Sequence, residues 1–256
     1  MISMIDAASL TVFITGATAG FGAAVARRFA EAGARVIATG RRHERLEALQ
    51  KEIGDKCHIV PFDVRDRAAV DAAVAGLPAP FNKVNVVIAN AGLALGLEPA
   101  HQAKMDDWET MVATNINGLL YTVRALLPGM VERQEGHVIL IGSVAGDYPY
   151  PGGNVYGASK AFVKQFALNL RADLLGANVR VSNIEPGMAA TEFSLVRFKG
   201  DAEKANAPYR GHKPMSAEDI AEMIFWTCTL PRHLNINRMQ MMPVTQSFGP
   251  FVFKRD

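Results

Sequence analysis

Residues 10–22, with the sequence LTVFITGATAGFG, decide the fold class of this chain. The first five residues form an apolar run rich in β-branched and aromatic side chains, which predicts a buried strand. Glycines follow at positions 16, 20 and 22, and a helical pattern carrying Val25 and Phe29 then ends at Gly33. A strand, a glycine-rich turn and a helix in this order let the backbone approach a phosphate closely and present free N–H groups to it.

Strands and helices alternate along the rest of the chain. Further strands are predicted at 35–39, 57–60, 84–88, 138–141, 178–184 and 239–244. Helices are predicted from near Asp66, at 107–131, from Tyr156 onwards and at 216–230. About seven strands separated by helices predict an α/β fold with a Rossmann-like, doubly wound parallel sheet, in a single domain that spans residues 1–256.

Composition narrows the class of protein. A chain of 256 residues fits one α/β domain, and a formal net charge of +2 without a basic block gives no support for nucleic-acid binding. The two cysteines and six histidines form no metal-ligand spacing, so no metal is expected. No basic residue precedes Arg27 and no apolar run approaches the length of a membrane span, so we expect no signal peptide, no membrane association and a cytoplasmic location.

Two adjacent arginines, Arg41 and Arg42, follow the second predicted strand. Many dinucleotide sites place a carboxylate here to bind the ribose 2′-hydroxyl of NAD, and a carboxylate would repel the 2′-phosphate of NADP. A guanidinium instead binds a phosphate through a planar fork of donors. The pair therefore favours NADP over NAD, although arginines at strand ends are often only solvated surface charges. Asp63, after the third strand, could bind an adenine edge or cap the next helix.

Ser143, Tyr156 and Lys160 are the candidate catalytic residues. The strand at 138–141 delivers Ser143 at its carboxyl end, and the spacing of four puts Tyr156 and Lys160 one turn apart on one helix face. A cation within about 4–6 Å lowers the pKa of a phenol by roughly 1–3 units. With Ser143 hydrogen-bonded to a substrate carbonyl, this set predicts an acid–base site for interconverting a carbonyl and an alcohol.

The spacing by itself is weak support, because it recurs at Tyr209 and Lys213. That second pair contains Gly211 and is flanked by prolines, so no helix is predicted there.

Several motifs together resemble the short-chain dehydrogenase/reductase family, of the single-domain type, over essentially the whole chain. They are the glycine-rich turn, Asn90-Ala91-Gly92, Ser143, the Tyr156/Lys160 pair and Pro186-Gly187. The stretches TGATAGFG, ATGRR, NAGLALGLEPA, GGNVYGASKAF, TEFSLVRF and NINRMQMMPV resemble the NADP-dependent 3-hydroxy acid dehydrogenases of this family. That resemblance implies oxidation of L-serine, L-allo-threonine or 3-hydroxypropanoate-like acids, reduction of malonic semialdehyde, and a homotetramer.

The resemblance also implies roles for individual residues. Tyr156 would be the acid–base, Lys160 would lower its pKa and hold the nicotinamide ribose, and Ser143 would orient the substrate oxygen. Asn115, which sequence pattern alone leaves as an ordinary polar residue of a helix, would hold a water that links Lys160 to solvent. The expected cofactor-binding residues are Gly16, Ala17, Thr18, Ala19, Gly20, Phe21, Gly22, Arg41, Arg42, Asp63, Val64, Asn90, Ala91, Gly92, Tyr156, Lys160, Pro186, Gly187, Met188 and Thr191.

A substrate lid is expected near residues 188–215, because this segment leaves the carboxyl end of a predicted strand. It combines apolar side chains that can exclude water with several cations. Arg197 is the candidate for binding a substrate carboxylate, since a planar fork suits that group, and Arg210 and Lys213 are its rivals.

Two other functions remain open. A general carbonyl or 3-ketoacyl reductase would need an apolar channel in place of a cation near the carbonyl. A non-catalytic NADP sensor tends to lose the tyrosine or the lysine, and this chain keeps both. An epimerase is disfavoured, because the chain leaves no room for a separate substrate domain.

Overall fold

One parallel sheet of seven strands forms the centre of the molecule, a computed structural model that describes residues 3–249. The strands are β1 Thr11–Ile14, β2 Arg35–Gly40, β3 Cys57–Pro61, β4 Val86–Ala89, β5 Gly136–Ile141, β6 Val179–Pro186 and β7 Arg238–Met241. Their order across the sheet is β3-β2-β1-β4-β5-β6-β7, and every neighbouring pair is parallel. The predicted fold class is confirmed. Residues 1–2 and 250–256 of the predicted domain lie outside the described residues.

Helices cover both faces of the sheet. In the described part of the chain they are α1 Gly20–Glu31, α2 His43–Ile53, α3 Arg67–Ala75, α4 Met105–Val112, α5 Gly118–Glu132, α6 Asn154–Asp173, α7 Glu192–Arg197, α8 Ala202–Asn206 and α9 Ala217–Thr229. None of these helices is long and apolar enough to cross a membrane.

The side chains of β1 alternate between two buried layers. Val12 and Ile14 pack in the cluster that includes residues of α1, α2 and α9, whereas Phe13 packs in the cluster that includes residues of α3, α5 and α6. All four residues of β1 are buried, as expected for a parallel strand that is covered on both faces.

The helical stretch predicted at 107–131 runs in the structure from Met105 to Glu132, but its middle part is not α-helical. A five-residue π-helical segment, Ala113–Asn117, separates α4 from α5. Asn115 lies in that segment, and its side-chain amide is bonded to the backbone of Leu93 and to the hydroxyl of Ser159. Segments of this kind are frequent at functional sites, where they aim a side chain that a regular helix would place differently.

Other differences from the predicted elements are smaller. Strand β7 ends at Met241 and not at residue 244, and Pro243, which has no backbone N–H, instead begins a turn closed by the bond from Gln246 N to its carbonyl oxygen. Helix α2 was not predicted; its buried residues are only Leu46 and Leu49, so its apolar pattern is short.

The order of the strands reverses between β1 and β4. From β1 the chain continues outward through β2 and β3, and β4 then starts the other half of the sheet on the opposite side of β1. In open α/β sheets, ligands bind in the crevice at the carboxyl ends of the strands at such a point. The glycine-rich turn follows β1 and Asn90 follows β4, so both lie at this crevice.

Candidate active site

A cavity of about 350 Å³ opens at the carboxyl ends of the strands. Most of the residues expected to bind cofactor or substrate line it: Gly16, Thr18, Ala19, Gly20, Phe21, Arg41, Arg42, Asp63, Val64, Asn90, Ala91, Gly92, Ser143, Tyr156, Lys160, Pro186, Gly187 and Thr191. The other expected residues, Ala17, Gly22, Met188, Asn115 and Arg197, lie next to lining residues or support them, as described below.

The turn after β1 is too tight for side chains at two of its glycines. Gly16 has a φ of +70°, and a Cβ added there would lie 3.0 Å from Nδ2 of Asn90. A Cβ on Gly22 would collide with the carbonyl oxygen of Gly16. Ala17 between them is buried, and its N–H donates to the carbonyl oxygen of Thr39. The backbone at the start of α1 is therefore exposed to the cavity, which fits the pyrophosphate of a dinucleotide.

Arg41 and Arg42 line the end of the cavity that is near Thr18 and Asp63. Arg42 donates from Nε and Nη2 to the hydroxyl of Thr18, at 3.1 and 2.8 Å, and from Nη1 to the carboxylate of Glu192 at 3.1 Å. Arg41 lies 3.7 Å from the carboxylate of Asp63. Both arginines therefore stand where the ribose end of a dinucleotide is expected.

Asp63 is held by a neighbouring arginine and does not cap a helix. Arg65 donates to its carboxylate from Nε and Nη2, at distances down to 2.6 Å. Burial opposes ionisation of Asp63, but the hydrogen bonds and charge of Arg65 outweigh it and lower the pKa. The cap of α3 is Asp66, whose side chain accepts from Ala69 N, so the capping alternative for Asp63 is wrong.

Tyr156, Ser143 and Lys160 meet beside the cavity. Tyr156 and Lys160 are 9% and 7% exposed on α6, and the Lys160 ammonium lies 5.8 Å from the centre of the tyrosine ring. Lys160 donates to the carbonyl oxygen of Ile141 at 2.8 Å, at the end of β5. Ser143, two residues further on, lines the same cavity as Tyr156, and its hydroxyl accepts from Ala145 N at 3.1 Å. The three predicted catalytic side chains are thus together, on α6 and just after β5.

Burial dominates the ionisation of this group. It raises the pKa of Tyr156 to about 12, although the nearby Ser143 hydroxyl and the charge of Arg197 oppose the rise. Burial also lowers the pKa of Lys160 to about 8. The lowering of the tyrosine pKa by Lys160 stays a prediction, and in this structure the ammonium is directed at the carbonyl oxygen of Ile141.

Asn115 fixes the loop that follows β4. Its Oδ1 accepts from Leu93 N at 2.9 Å, and its Nδ2 donates to Leu93 O at 2.8 Å. A Cβ on Gly92 would lie 3.3 Å from Oδ1 of Asn115 and 3.6 Å from Nζ of Lys160. Asn115 therefore stands beside the Lys160 ammonium, behind the cavity wall that Gly92 forms.

The two ends of the segment at 188–215, which we call the lid, lie next to each other. Ala189 and Met215 form an isolated parallel bridge, with bonds from Ala190 N to Met215 O and from Met215 N to Met188 O. Met188 N also donates to the side chain of Gln246 at 2.7 Å. Between these ends, α7 directs Phe193 toward the cavity, and its ring lies 5.5 Å from the ring of Tyr156.

Arg197, the last residue of α7, lies over the ring of Tyr156. Its guanidinium carbon is 5.7 Å from the centre of the Tyr156 ring and 5.4 Å from that of Tyr150. Nε donates to the carbonyl oxygen of Gly96 at 3.1 Å and Nη2 to the hydroxyl of Tyr150 at 2.9 Å. Nη1 has no hydrogen-bond partner among residues 3–249.

The alternatives to Arg197 are placed differently. Arg210 has a side chain that is 69% exposed and lies 3.8 Å from the carboxylate of Glu203, and Lys213 is exposed. Tyr209 ends a short 3₁₀ turn and its hydroxyl is bonded to Ser194 and Ala189. As predicted, Tyr209 and Lys213 do not share a helix.

Some lining residues were not predicted as site residues. They are Gly40, Phe62, Leu93, Thr114, Ile141, Gly142, Ala189, Glu192, Phe193 and Val196, of which Phe193 and Val196 were expected only as apolar residues of the lid. Glu192 opens a helix next to Thr191, and Thr114 precedes Asn115. Neither has a spacing that distinguishes it from a surface residue, so only their position next to predicted residues could have indicated them.

The model of a known family matches residues 10–201, and that family is described as short chain dehydrogenase. The chain belongs to this family and is an oxidoreductase, which confirms the resemblance found in the sequence. Among its relatives is the NADP-dependent 3-hydroxy acid dehydrogenase YdfG of Salmonella typhi, 60% identical over 94% of this chain and 97% of that protein. Serine 3-dehydrogenase of Rhizobium radiobacter is 53% identical over 96% of this chain and 98% of that protein.

A solved structure gives the same result. The closed form of serine dehydrogenase complexed with NADP+ superimposes with a TM-score of 0.94 and is 56% identical, covering 96% of this chain and 99% of that one. The likeness covers nearly the whole chain and is not confined to the glycine-rich turn.

Proposed function

We propose that this chain is an NADP-dependent oxidoreductase that interconverts small 3-hydroxy acids and the corresponding 3-oxo acids or semialdehydes. The observation that carries the proposal is the position of the Arg197 guanidinium over the ring of Tyr156, at 5.7 Å. A cation at that distance from the acid–base group suits a substrate whose carboxylate is only a few atoms from the reacting hydroxyl. The names of the relatives at 60% and 53% identity support the same substrate class.

NADP is the cofactor, and the cavity fits it. The glycine-rich turn leaves room for a pyrophosphate, and Arg41 and Arg42 stand with the Thr18 hydroxyl where a 2′-phosphate would be bound. When bound, NADP supplies the hydride acceptor for alcohol oxidation, and NADPH supplies the donor for carbonyl reduction. Asn90, Lys160 and the segment from Pro186 to Thr191 would complete its binding site.

Tyr156 moves the proton in this proposal. Because burial raises its pKa to about 12, the hydroxyl is protonated at neutral pH and can donate its proton to a carbonyl oxygen during reduction. Ser143, which lines the same cavity, would hold the substrate oxygen beside the Tyr156 hydroxyl. Lys160 keeps a buried ammonium near the ring, which favours the phenolate needed in oxidation.

The position of Arg197 also favours an acid over the two alternatives. An acyl chain would place apolar groups against this guanidinium, and burying a charge without a partner is unfavourable. A non-catalytic sensor has no need of Ser143, Tyr156 and Lys160 at one site, whereas in this chain all three line the same cavity.

Replacing Arg197 by alanine is expected to lower kcat/KM selectively for a 3-hydroxy acid. Loss of the charge-assisted hydrogen bonds to a carboxylate costs about 2 kcal/mol or more in catalytic efficiency, which is roughly 30-fold. A neutral alcohol of similar size makes no such bonds and should lose much less. The measurement is kcat/KM with NADP for serine, allo-threonine or 3-hydroxypropanoate and for a simple secondary alcohol.

Arg210→Ala is the matched control, because it removes an exposed arginine from the same lid. It should leave both substrates unaffected. Equal loss with acid and alcohol in Arg197→Ala would mean that Arg197 only holds the lid to Gly96 and Tyr150. No loss with either would mean that another residue binds the substrate carboxylate.

The chain is proposed to assemble as a cytoplasmic homotetramer through α4, α5 and α6. Met105 and Leu168, on α4 and α6, are 61% and 48% exposed, which leaves apolar surface on helices expected at the interface. We expect light scattering at micromolar concentration to give four times the chain mass of 27.7 kDa. A monomeric mass would contradict the assembly without affecting the assignment of the active site.

A further inference from the structure

The two edges of the Arg42 guanidinium have different partners. Nε and Nη2, the fork that best fits a phosphate, both point at one neutral acceptor, the hydroxyl of Thr18. Nη1 on the other edge donates to the carboxylate of Glu192 at 3.1 Å. A phosphate dianion can therefore replace the hydroxyl on the fork while Glu192 keeps its own bond, so the two anions do not need the same donor.

Glu192 is shared between two arginines. Nη1 of Arg45 donates to both of its oxygens, at 2.8 and 2.9 Å, and this hydrogen bonding, followed by that of Arg42, lowers the pKa of Glu192. Arg41 adds a third guanidinium at the same end of the cavity. These cations offset the repulsion between the carboxylate and a phosphate bound nearby.

Glu192, which carries this carboxylate, is the first residue of the lid helix α7. Thr191 caps this helix by accepting from Phe193 N, and a Cβ on Gly20 would lie 3.4 Å from Cβ of Thr191. Phe193 contacts the ring of Tyr156 one residue later. A six-residue helix thus joins Arg42, at the phosphate end of the cavity, to Tyr156 at the reacting end.

We propose that Glu192 is a positioning residue through which the 2′-phosphate of NADP promotes closure of the lid over Tyr156. The inference rests on the proposed binding of that phosphate by Arg42. The Arg42–Glu192 pair is partly exposed, with side chains 40% and 44% accessible, and an isolated pair of this kind contributes little. A phosphate on the fork fixes the guanidinium, so that holding Glu192 against it costs less conformational entropy. NAD lacks the phosphate, so the Nε and Nη2 fork of Arg42 keeps only the neutral Thr18 hydroxyl as its acceptor.

Limited proteolysis tests this without any substrate. Lys199, Lys204 and Arg210 are exposed trypsin sites in the lid. Each protein is first titrated with NADPH and NADH by fluorescence, and cleavage of the lid is then followed at equal, near-complete occupancy. In the wild type, NADPH should slow cleavage about fivefold or more beyond NADH, the lower end of typical coupling between sites. Glu192→Gln should remove that difference and weaken NADPH binding by no more than the lost coupling, about fivefold, because the fork of Arg42 is intact.

Glu203→Gln is the matched control, since it removes an exposed carboxylate from α8 of the same lid, and it should keep the difference between the cofactors. Arg45→Gln, which leaves Arg42 and Glu192 in place, should reduce the difference and serves as the second variant if Glu192→Gln unfolds. Equal protection by NADPH and NADH in the wild type, or a difference that survives in Glu192→Gln, would overturn the inference.

The affinity titration separates this result from a failure of the proposed cofactor site. If Arg42→Ala binds NADPH as tightly as the wild type, then the phosphate does not bind Arg42, and the cofactor assignment and the inference are both wrong. If Arg42→Ala weakens NADPH alone but Glu192→Gln keeps the cofactor-dependent protection, then only the inference is wrong.

Discussion

Tyr156→Phe is expected to lower kcat for oxidation of a 3-hydroxy acid by about 10²–10⁴-fold, the usual contribution of a general acid–base group. The substitution removes one oxygen and keeps the ring that packs against Phe193. NADPH should therefore still bind, which a fluorescence titration can measure on the same preparation. Near-normal turnover would remove Tyr156 from the mechanism.

Tyr209→Phe is the matched control for this experiment. Tyr209 also has a lysine four residues later, but it ends a short turn in the lid and its hydroxyl is bonded to Ser194 and Ala189. Most of the activity should remain in this variant. A loss as large as that of Tyr156→Phe would mean that the assay reports disruption of the lid and not loss of an acid–base group.

The pH dependence gives the same role an independent readout. Oxidation needs the phenolate, and burial raises the pKa of Tyr156 to about 12, so the rate of oxidation should rise with pH throughout the range below that value. Reduction uses the protonated phenol and should show no such rise. The residual activity of Tyr156→Phe should lose the pH dependence of oxidation.

Replacing Arg41 and Arg42 together by glutamine is expected to raise KM for NADP far more than KM for NAD. Each charge-assisted hydrogen bond lost to the phosphate costs about 1.5–3 kcal/mol, or roughly 10- to 150-fold. NAD has no 2′-phosphate and loses none of these bonds. The measurement is a steady-state titration of both cofactors at a fixed, saturating hydroxy acid concentration.

Single variants divide this effect between the two arginines. Arg41→Gln leaves the pair between Arg42 and Glu192 in place, so it reports phosphate binding without a change at the lid. Arg67→Gln is the control, because it removes an exposed arginine of α3 that pairs only with Asp71. Equal effects on NADP and NAD in the double variant would show that Arg41 and Arg42 are only surface charges.

Local patterns in the sequence were sufficient for the sheet and the first turn. The apolar runs of β1 and β5 and the glycines at 16, 20 and 22 each define their own structure within a few residues. The pairing of Tyr156 with Lys160 likewise follows from helix geometry alone. For this reason the fold class and the position of the catalytic side chains could be predicted.

Features that depend on tertiary contacts could not be predicted from the sequence. The π segment carries Asn115, whose side chain bonds the backbone of Leu93 in a separate loop. The pKa of Tyr156 depends on burial under the lid, which no spacing within α6 reveals. Glu192 acquires its significance from Arg42, which is 150 positions away in the sequence.

Because Ala189 and Met215 are paired with each other, the segment between them starts and ends at the same place in the structure. Its entry and exit are paired with each other, so residues can be inserted or deleted within it while the strands keep their register. The entropic cost of closing a loop increases only slowly with its length, by about 0.6 kcal/mol for each doubling. In enzymes of this architecture, changes of sequence and length that alter the substrate range can therefore occur in this segment. The sheet that supports it places little constraint on them.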